Sequence, residues 1–376
     1  MGIDLIPKNT DKISTSPILQ QTSLWARMKL IQGMQPRAFH VQTGEGANIS
    51  RSYNNGKDRY INDDLLVIIK RVGAGARIAY VPYGPVFKPE EQSMGRCLEN
   101  LAESMKGMLP TDCMAIRFDL PWKSVWTDDE NRFDDEGNYL GPPEVRTQEF
   151  KMNFETEKWN LFRAPTNVLP TNTIMLNIGK TDDDLLQSMK PKTRYNIRLS
   201  ARKGVTVRDM GEDALPVWQQ LCTETSIRNK IIMDDTNYFK AVLRSGNGSF
   251  KSSEGVKLLL AERDRVPLAA IFLAVSANRA TYLYGASSSL HRNLMGTYAV
   301  QWEAIKTARA AGCTEYDMFG ISGSPDPYHP MYGLYRFKTG FGGNIIRREG
   351  CWDYPLDHEK YEAFRIAEAK SQGYHL

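Results

Sequence analysis

The hydrophobic pattern of this chain repeats itself once. An apolar run, "DLLVIIKR" (64–71), precedes "RIAYVPYGPVF" (77–87), and further on "VPLAAIFLAVS" (266–276) precedes "RATYLYGASS" (279–288). Each pair reads as two strands followed by an amphipathic helix. In the first copy Met94, Leu98, Leu101, Met105 and Met108 recur at helical spacing, and Pro89, Glu90 and Glu91 suit a first turn. In the second, Tyr298, Trp302 and Ile305 form the apolar face and Gly312 suits the C-terminal stop. A short strand closes each copy, "CMAIRFDLP" (113–121) and "CTEYDMFGI" (313–321). Two related α/β domains are expected from this repetition.

The second copy has a fuller lead-in. "TIMLNI" (173–178) reads as a strand, and Thr181 can cap a helix beginning "DDDLLQSM". "VTVRD" (205–209) is a further strand, "ALPVWQQLCTETSI" and "TNYFKAVLRS" are helices, and residues 256–285 hold three strands with turns at Asp264-Arg265 and Ala277-Asn278. The order β-α-α-β-β-β-α-β resembles that of the GNAT acyltransferases. The expected fold is therefore α/β (α+β), with two tandem GNAT-like domains: residues 1–170 with 346–376, and residues 171–345. Residues 122–170, rich in Asp, Glu, Asn and Pro, read as an insertion or linker, and "DHEKYEAFRIAEAK" as a closing helix.

Composition narrows the classes. The net charge of +4 is modest, and acidic runs such as "DDENRFDDEG" hide local basic clusters. The five cysteines are widely spaced, without a C-x-x-C pair, as expected for reduced core thiols. No apolar run approaches the ~20 residues a membrane span needs, and the first residues show no signal-peptide pattern, so a cytoplasmic protein is expected. No P-loop, dinucleotide fingerprint, zinc signature or G-x-S-x-G elbow is present, and the histidines are isolated.

Five stretches are candidates for chemistry. In "KPKTRYNIRLSARKG" (190–204), Lys190, Arg194, Arg198 and Arg202 fall four apart, joined by Lys192 and Lys203. Stacked like charges weaken a helix, so the stripe is either a solvated face or a track for a phosphodiester backbone, with Tyr195 as a stacking group. "LYRFKTGFGG" (334–343) sets Phe337, Lys338 and Phe341 among glycines. It is either a desolvated cation suited to an oxyanion or a surface hairpin with a snorkelling lysine. "YLYGAS" puts Tyr282 and Tyr284 on one face of a strand, for a substrate channel or for sheet packing. Asp119 ends its strand, where ligands sit in open α/β sheets, as a general base or a loop-pinning carboxylate. "HRNLMGTYAV" (291–300) stands where a GNAT domain holds a CoA pyrophosphate, but with one glycine and a bulky Leu294-Met295 it fits poorly.

Together these segments resemble the Fem family of aminoacyltransferases (the FemABX type), from "QTSLWARMK" through "MKPKTRYNIRLSARKGV", "YLYGAS", "TYAVQWEAIK" and "EYDMFGI" to "FKTGFGG". The resemblance implies transfer of an amino acid from aminoacyl-tRNA to the stem-peptide amine of a lipid-linked or UDP-linked muropeptide, building a peptidoglycan cross-bridge. It implies two GNAT-like domains and no cofactor beyond the charged tRNA. Lys338 corresponds to the lysine acting on the reacting ester, with Phe337 beside the donor and Asp119 considered for the amine. Tyr282, Tyr284, Tyr238 and Lys29 (in W-A-x-x-K) correspond to precursor-binding positions. Asp234 departs from a family arginine, which Arg228 would replace from the previous helix, and a lipid-linked acceptor at the inner membrane face would fit the change. The chain also lacks the long charged hairpin of the coiled-coil members, so tRNA is expected on the Lys190–Lys203 face. The alternatives are an N-acyltransferase using a CoA or carrier thioester, and a non-catalytic tRNA- or precursor-binding protein.

Overall fold

The computed structural model describes residues 2–43, 49–50, 62–73, 75–230, 233–246 and 254–370. The chain forms two compact units: Met1–Ser14, Gln20–Thr171 and Arg347–Leu376, and then Thr15–Leu19 with Asn172–Ile346.

In the first unit the strands Ile3–Lys8, Gln35–Thr43, Asn62–Val72 and Ala76–Val81 form an antiparallel series. Ala76–Val81 then runs parallel to Cys113–Lys123. A parallel pair needs a crossover, supplied by the helix Met94–Lys106. From Arg348 onward, the strand Asn344–Pro355 pairs antiparallel with Cys113–Lys123. The second unit repeats these directions. Thr206–Met210, Glu254–Arg263, Val266–Ser276 and Arg279–Ser287 are antiparallel. Arg279–Ser287 runs parallel to Glu315–Gly320 across the helix Gly296–Ala310, and Asn172–Asn177 pairs antiparallel with Glu315–Gly320.

Each crossover helix buries its apolar stripe on the strands of its own unit. Leu98, Leu101 and Met105 meet Val67, Ile69, Val81 and Phe118. Val300, Ala304, Ile305 and Ala308 meet Ile271, Leu273, Val275 and Tyr316. The tight turns fall at Asp264, Arg265 and Ala277, all with positive φ, and Thr181 caps its helix by accepting from the Asp184 N–H. The first crossover helix begins at Met94 rather than Pro89, because Lys88–Pro89 forms a short strand and Glu91–Ser93 a single 3-10 turn.

The stretch 122–170 is no linker. Its helix Val145–Asn153 lies on Met94–Lys106, where Gly95 makes room: a Cβ there would sit 1.7 Å from the Met152 carbonyl oxygen. Met152 and Leu161 join the first core, and Asn153 Nδ2 donates to the Leu161 carbonyl at 2.8 Å. The closing helix His358–Lys370 is tied inward by Glu368, which accepts from Arg117 at 2.7 Å, while Arg117 also pairs with buried Asp353. All five cysteines are buried and free. Among the described residues no helix is long and apolar enough to cross a membrane.

Candidate functional site

Lys338 lies in a helix, Tyr332–Thr339, not in a hairpin, and is only 4% exposed. The glycines that follow explain how it is driven inward. A Cβ on Gly340 would lie 2.3 Å from Thr193 Oγ1, and Gly342 and Gly343, at φ 85° and 83°, press against the Ser188 and Met175 carbonyls. The Lys190 N–H donates to the Gly340 carbonyl at 2.8 Å, so the end of this helix meets the start of the basic helix. Phe337 sits edge-on to Tyr298 and Phe341, with centroids 5.1 and 5.2 Å away.

The Lys338 ammonium donates to the Gly320 carbonyl at 2.8 Å and the Phe319 carbonyl at 3.3 Å, and Nζ lies 5.1 Å from the Tyr282 ring centroid. Desolvation pushes its pKa down to about 7, against the opposing field of Asp317. Near neutral pH the residue is thus a mixture of amine and ammonium. Asp317 and Thr173 were missed in the sequence. Both are buried, and the Thr173 hydroxyl donates to Asp317. An acidic residue between Tyr316 and Met318, in the middle of the "EYDMFGI" strand, was the available signal.

Tyr282 and Tyr284 do not share a face. Tyr282 pairs with Leu273 and Tyr284 with Phe272, so Leu283 is an extra residue in the ladder. This bulge shifts the alternation. Tyr282 turns to the side carrying Gly296–Ala310, where it packs on the second core. Its hydroxyl lies over Gly285, where an added Cβ would come within 1.9 Å. Tyr284 turns to the opposite side, against Phe239 and Phe272, with its hydroxyl 2.7 Å from that of Tyr238. Burial pushes both phenols of that pair upward.

Arg228 closes the helix Leu215–Asn229 and is engaged by the loop after Arg279–Ser287. It donates to the Ser287 carbonyl and the Ser289 hydroxyl, each at 3.0 Å. Desolvation and then nearby Arg292 lower its pKa. Glu224, one turn earlier, accepts from the Ser289 N–H and the Ser288 hydroxyl, both at 2.8 Å. An internal carboxylate therefore occupies these two donors of the loop that follows Arg279–Ser287.

The basic segment forms the helix Pro191–Arg202 with Lys190 as N-cap. Its cations divide into two sets. Arg194 folds back to the carbonyls of Met189 and Gln187, at 2.8 and 3.0 Å, closing the preceding helix, and Lys203 donates to the Asn293 carbonyl at 2.9 Å. Lys190, Lys192, Arg198 and Arg202 are exposed, and Arg202 lies 5.7 Å from the ring centroid of exposed Tyr195. The expected row of four thus loses Arg194, because spacing along a helix does not reveal the carbonyls waiting beside it.

Asp119 and Lys29 belong to the first unit. Asp119 lies within the strand Cys113–Lys123, not at its end, and is fully buried. It accepts from the Tyr80 hydroxyl at 2.8 Å and the Leu169 N–H at 3.0 Å, while its Oδ1 has no hydrogen-bond partner among the described residues. Burial pushes its pKa up to about 6, against those two hydrogen bonds. Lys29, on the helix Ser23–Ile31, lies 4.6 Å from the Trp25 ring centroid and donates to Gln32 at 2.7 Å.

Comparison with known proteins places these features in a lineage. A model of the FemAB family matches residues 10–251 and 251–369. A lipid II:glycine glycyltransferase of Staphylococcus epidermidis is 25% identical over 251 residues, 52% of this chain and 60% of the relative. One of Staphylococcus aureus is 22% identical over 270 residues, covering 54% and 64%. The matched region thus spans less than two thirds of the curated relatives' length. The crystal structure of FemX has the same fold, with a TM-score of 0.71 at 19% identity over 95% of this chain and 96% of that one.

Proposed function

This chain belongs to the FemAB family, and we propose that it transfers an amino acid from aminoacyl-tRNA to an amine of a peptidoglycan-precursor stem peptide, as a step in cross-bridge synthesis. The names of its relatives favour a lipid-linked acceptor. The observation that carries the reading is Lys338, a buried cation held by two carbonyls beside aromatic rings.

The donor ester is already activated, so the enzyme must juxtapose the reactants and stabilise the charge that develops. Lys338, in its protonated form, is assigned to the tetrahedral oxyanion or the departing ribose oxygen, where a preorganised cation in a dry site acts strongly. Phe337 and Tyr282 wall that position. Asp119, a carboxyl poised near neutrality, is assigned to the amine proton. Lys29 and the Tyr238–Tyr284 pair are assigned to the precursor, and Lys190, Lys192, Arg198 and Arg202 to the tRNA backbone. The reading needs no cofactor besides the charged tRNA, and it sets the reaction in the cytoplasm, where that donor is made.

The thioester alternative is disfavoured by the segment 291–300, which offers a CoA pyrophosphate a single glycine, Gly296, beside the bulky Leu294 and Met295. The test is conversion of a muropeptide by wild type and by Lys338→Ala, read by mass. Full turnover by the variant would remove Lys338 from the mechanism.

A further inference from the structure

The strand Glu315–Gly320 is irregular where it meets the lysine. Asp317 pairs with Met175 and Gly320 with Thr173, so one residue is extra on this side. Phe319 takes up the difference at φ 58°, a left-handed conformation unfavourable for a bulky residue. The resulting turn aims two successive carbonyls, those of Phe319 and Gly320, at Lys338 Nζ. Bulges beside functional groups commonly re-aim what faces them. This one is held by a single oxygen: Asp317 Oδ1 accepts the Phe319 N–H at 2.8 Å and the Thr173 hydroxyl. Asp317 is 4% exposed and Thr173 fully buried.

We infer that Asp317, braced by Thr173, is a positioning residue for Lys338: it pins the Phe319 turn whose carbonyls seat the ammonium. Its negative charge also favours the protonated lysine against the desolvation that opposes it. Among the described residues the other titratable groups nearby are phenols: Tyr282, whose ring faces Nζ, and Tyr316, which accepts from Gln301 at 2.7 Å. Burial pushes both upward, so Asp317 is the carboxylate that sets the balance. The inference rests on Lys338 being the reactive cation proposed above.

Asp317→Asn separates the two roles, because its amide oxygen can still accept the Phe319 N–H while the charge is gone. The full chain is labelled with 13Cε-lysine, and the Lys338 resonance is assigned by its loss in Lys338→Met. In Asp317→Asn its titration midpoint moves to lower pH by about half a unit or more. The alkaline limb of kcat for aminoacyl transfer moves with it, while KM for both substrates stays within about twofold. Asp317→Ala, which also frees the turn, loses kcat by about tenfold or more at every pH; if it does not fold, Thr173→Val, which removes the brace on Asp317, carries the test of the turn and loses kcat in the same direction. An unmoved resonance together with an unmoved pH limb in Asp317→Asn overturns the charge role, and wild-type kcat in the folded Asp317→Ala, or in Thr173→Val where Ala does not fold, overturns the positioning role. If the wild type transfers nothing, the proposed function falls, and the Lys338 titration still decides the coupling to Asp317.

Discussion

Replacing Lys338 with methionine should abolish transfer and yet stabilise the second unit, with a pH dependence that can be calculated. The folded lysine titrates at about 7 and an ordinary one at 10.5. Between these values the unfolded chain holds the proton more tightly, so wild-type stability rises with pH across that window. By linkage, burial of this group costs about 4 kcal/mol at pH 7 and about 2 kcal/mol at pH 9. Methionine fills a similar volume without charge. It leaves the Gly320 and Phe319 carbonyls without their donor, which costs about 1–3 kcal/mol. Lys338→Met should therefore be more stable than wild type by about 1–3 kcal/mol at pH 7, and the gap should shrink by about 2 kcal/mol by pH 9. Thermal and urea unfolding of both proteins at pH 7, 8 and 9, followed alongside transfer, measures it. A gap independent of pH, or a variant less stable at pH 7 than at pH 9 relative to wild type, would refute the reasoning. It would mean that the lysine is stably charged in the fold.

Three further outcomes are expected. Gly285→Ala forces the Tyr282 hydroxyl off its seat; it should cost about 1–3 kcal/mol of stability and slow transfer by more than the matching change at Gly333, around which nothing lies within 4 Å. Arg198→Ala and Arg202→Ala should weaken tRNA binding and lower the slope of log affinity against log salt by about 0.7–0.9 for each phosphate no longer neutralised. Arg194→Ala should instead destabilise the fold and leave that slope unchanged, as filter binding across salt concentrations would show. Asp119→Asn removes a carboxyl that holds its proton up to about pH 6 when folded, against 3.8 ordinarily. Wild-type stability therefore falls as pH rises from about 4 to 6, and the variant should be more stable above pH 6 by about 2–3 kcal/mol, converging below pH 4, while transfer falls.

What was legible in the sequence was local. The repeated strands, the Thr181 cap, the turns at Asp264 and Ala277 and the helix around Arg198 each follow from spacing and turn chemistry within a dozen residues. What was hidden depended on partners far along the chain. One extra residue at Leu283 sends Tyr282 and Tyr284 to opposite faces, and only the register against Phe272 and Leu273 reveals it. A second extra residue turns Phe319 and makes Asp317 and Thr173 part of the lysine's surroundings. Arg194 looked like its neighbours at 198 and 202 until the carbonyls of the preceding helix claimed it. The helix Val145–Asn153 was concealed by its polar composition, since a residue without a side chain, Gly95, provides its docking place.

The most direct test of the central claim mixes the purified protein with tRNA charged in turn with each labelled amino acid, and with a lipid-linked or nucleotide-linked muropeptide, and weighs the muropeptide. The account predicts a product heavier by an amino-acid residue, formed with one charged tRNA, abolished by ribonuclease treatment and absent with Lys338→Met. An unchanged muropeptide mass in the presence of intact charged tRNA and either acceptor would contradict it.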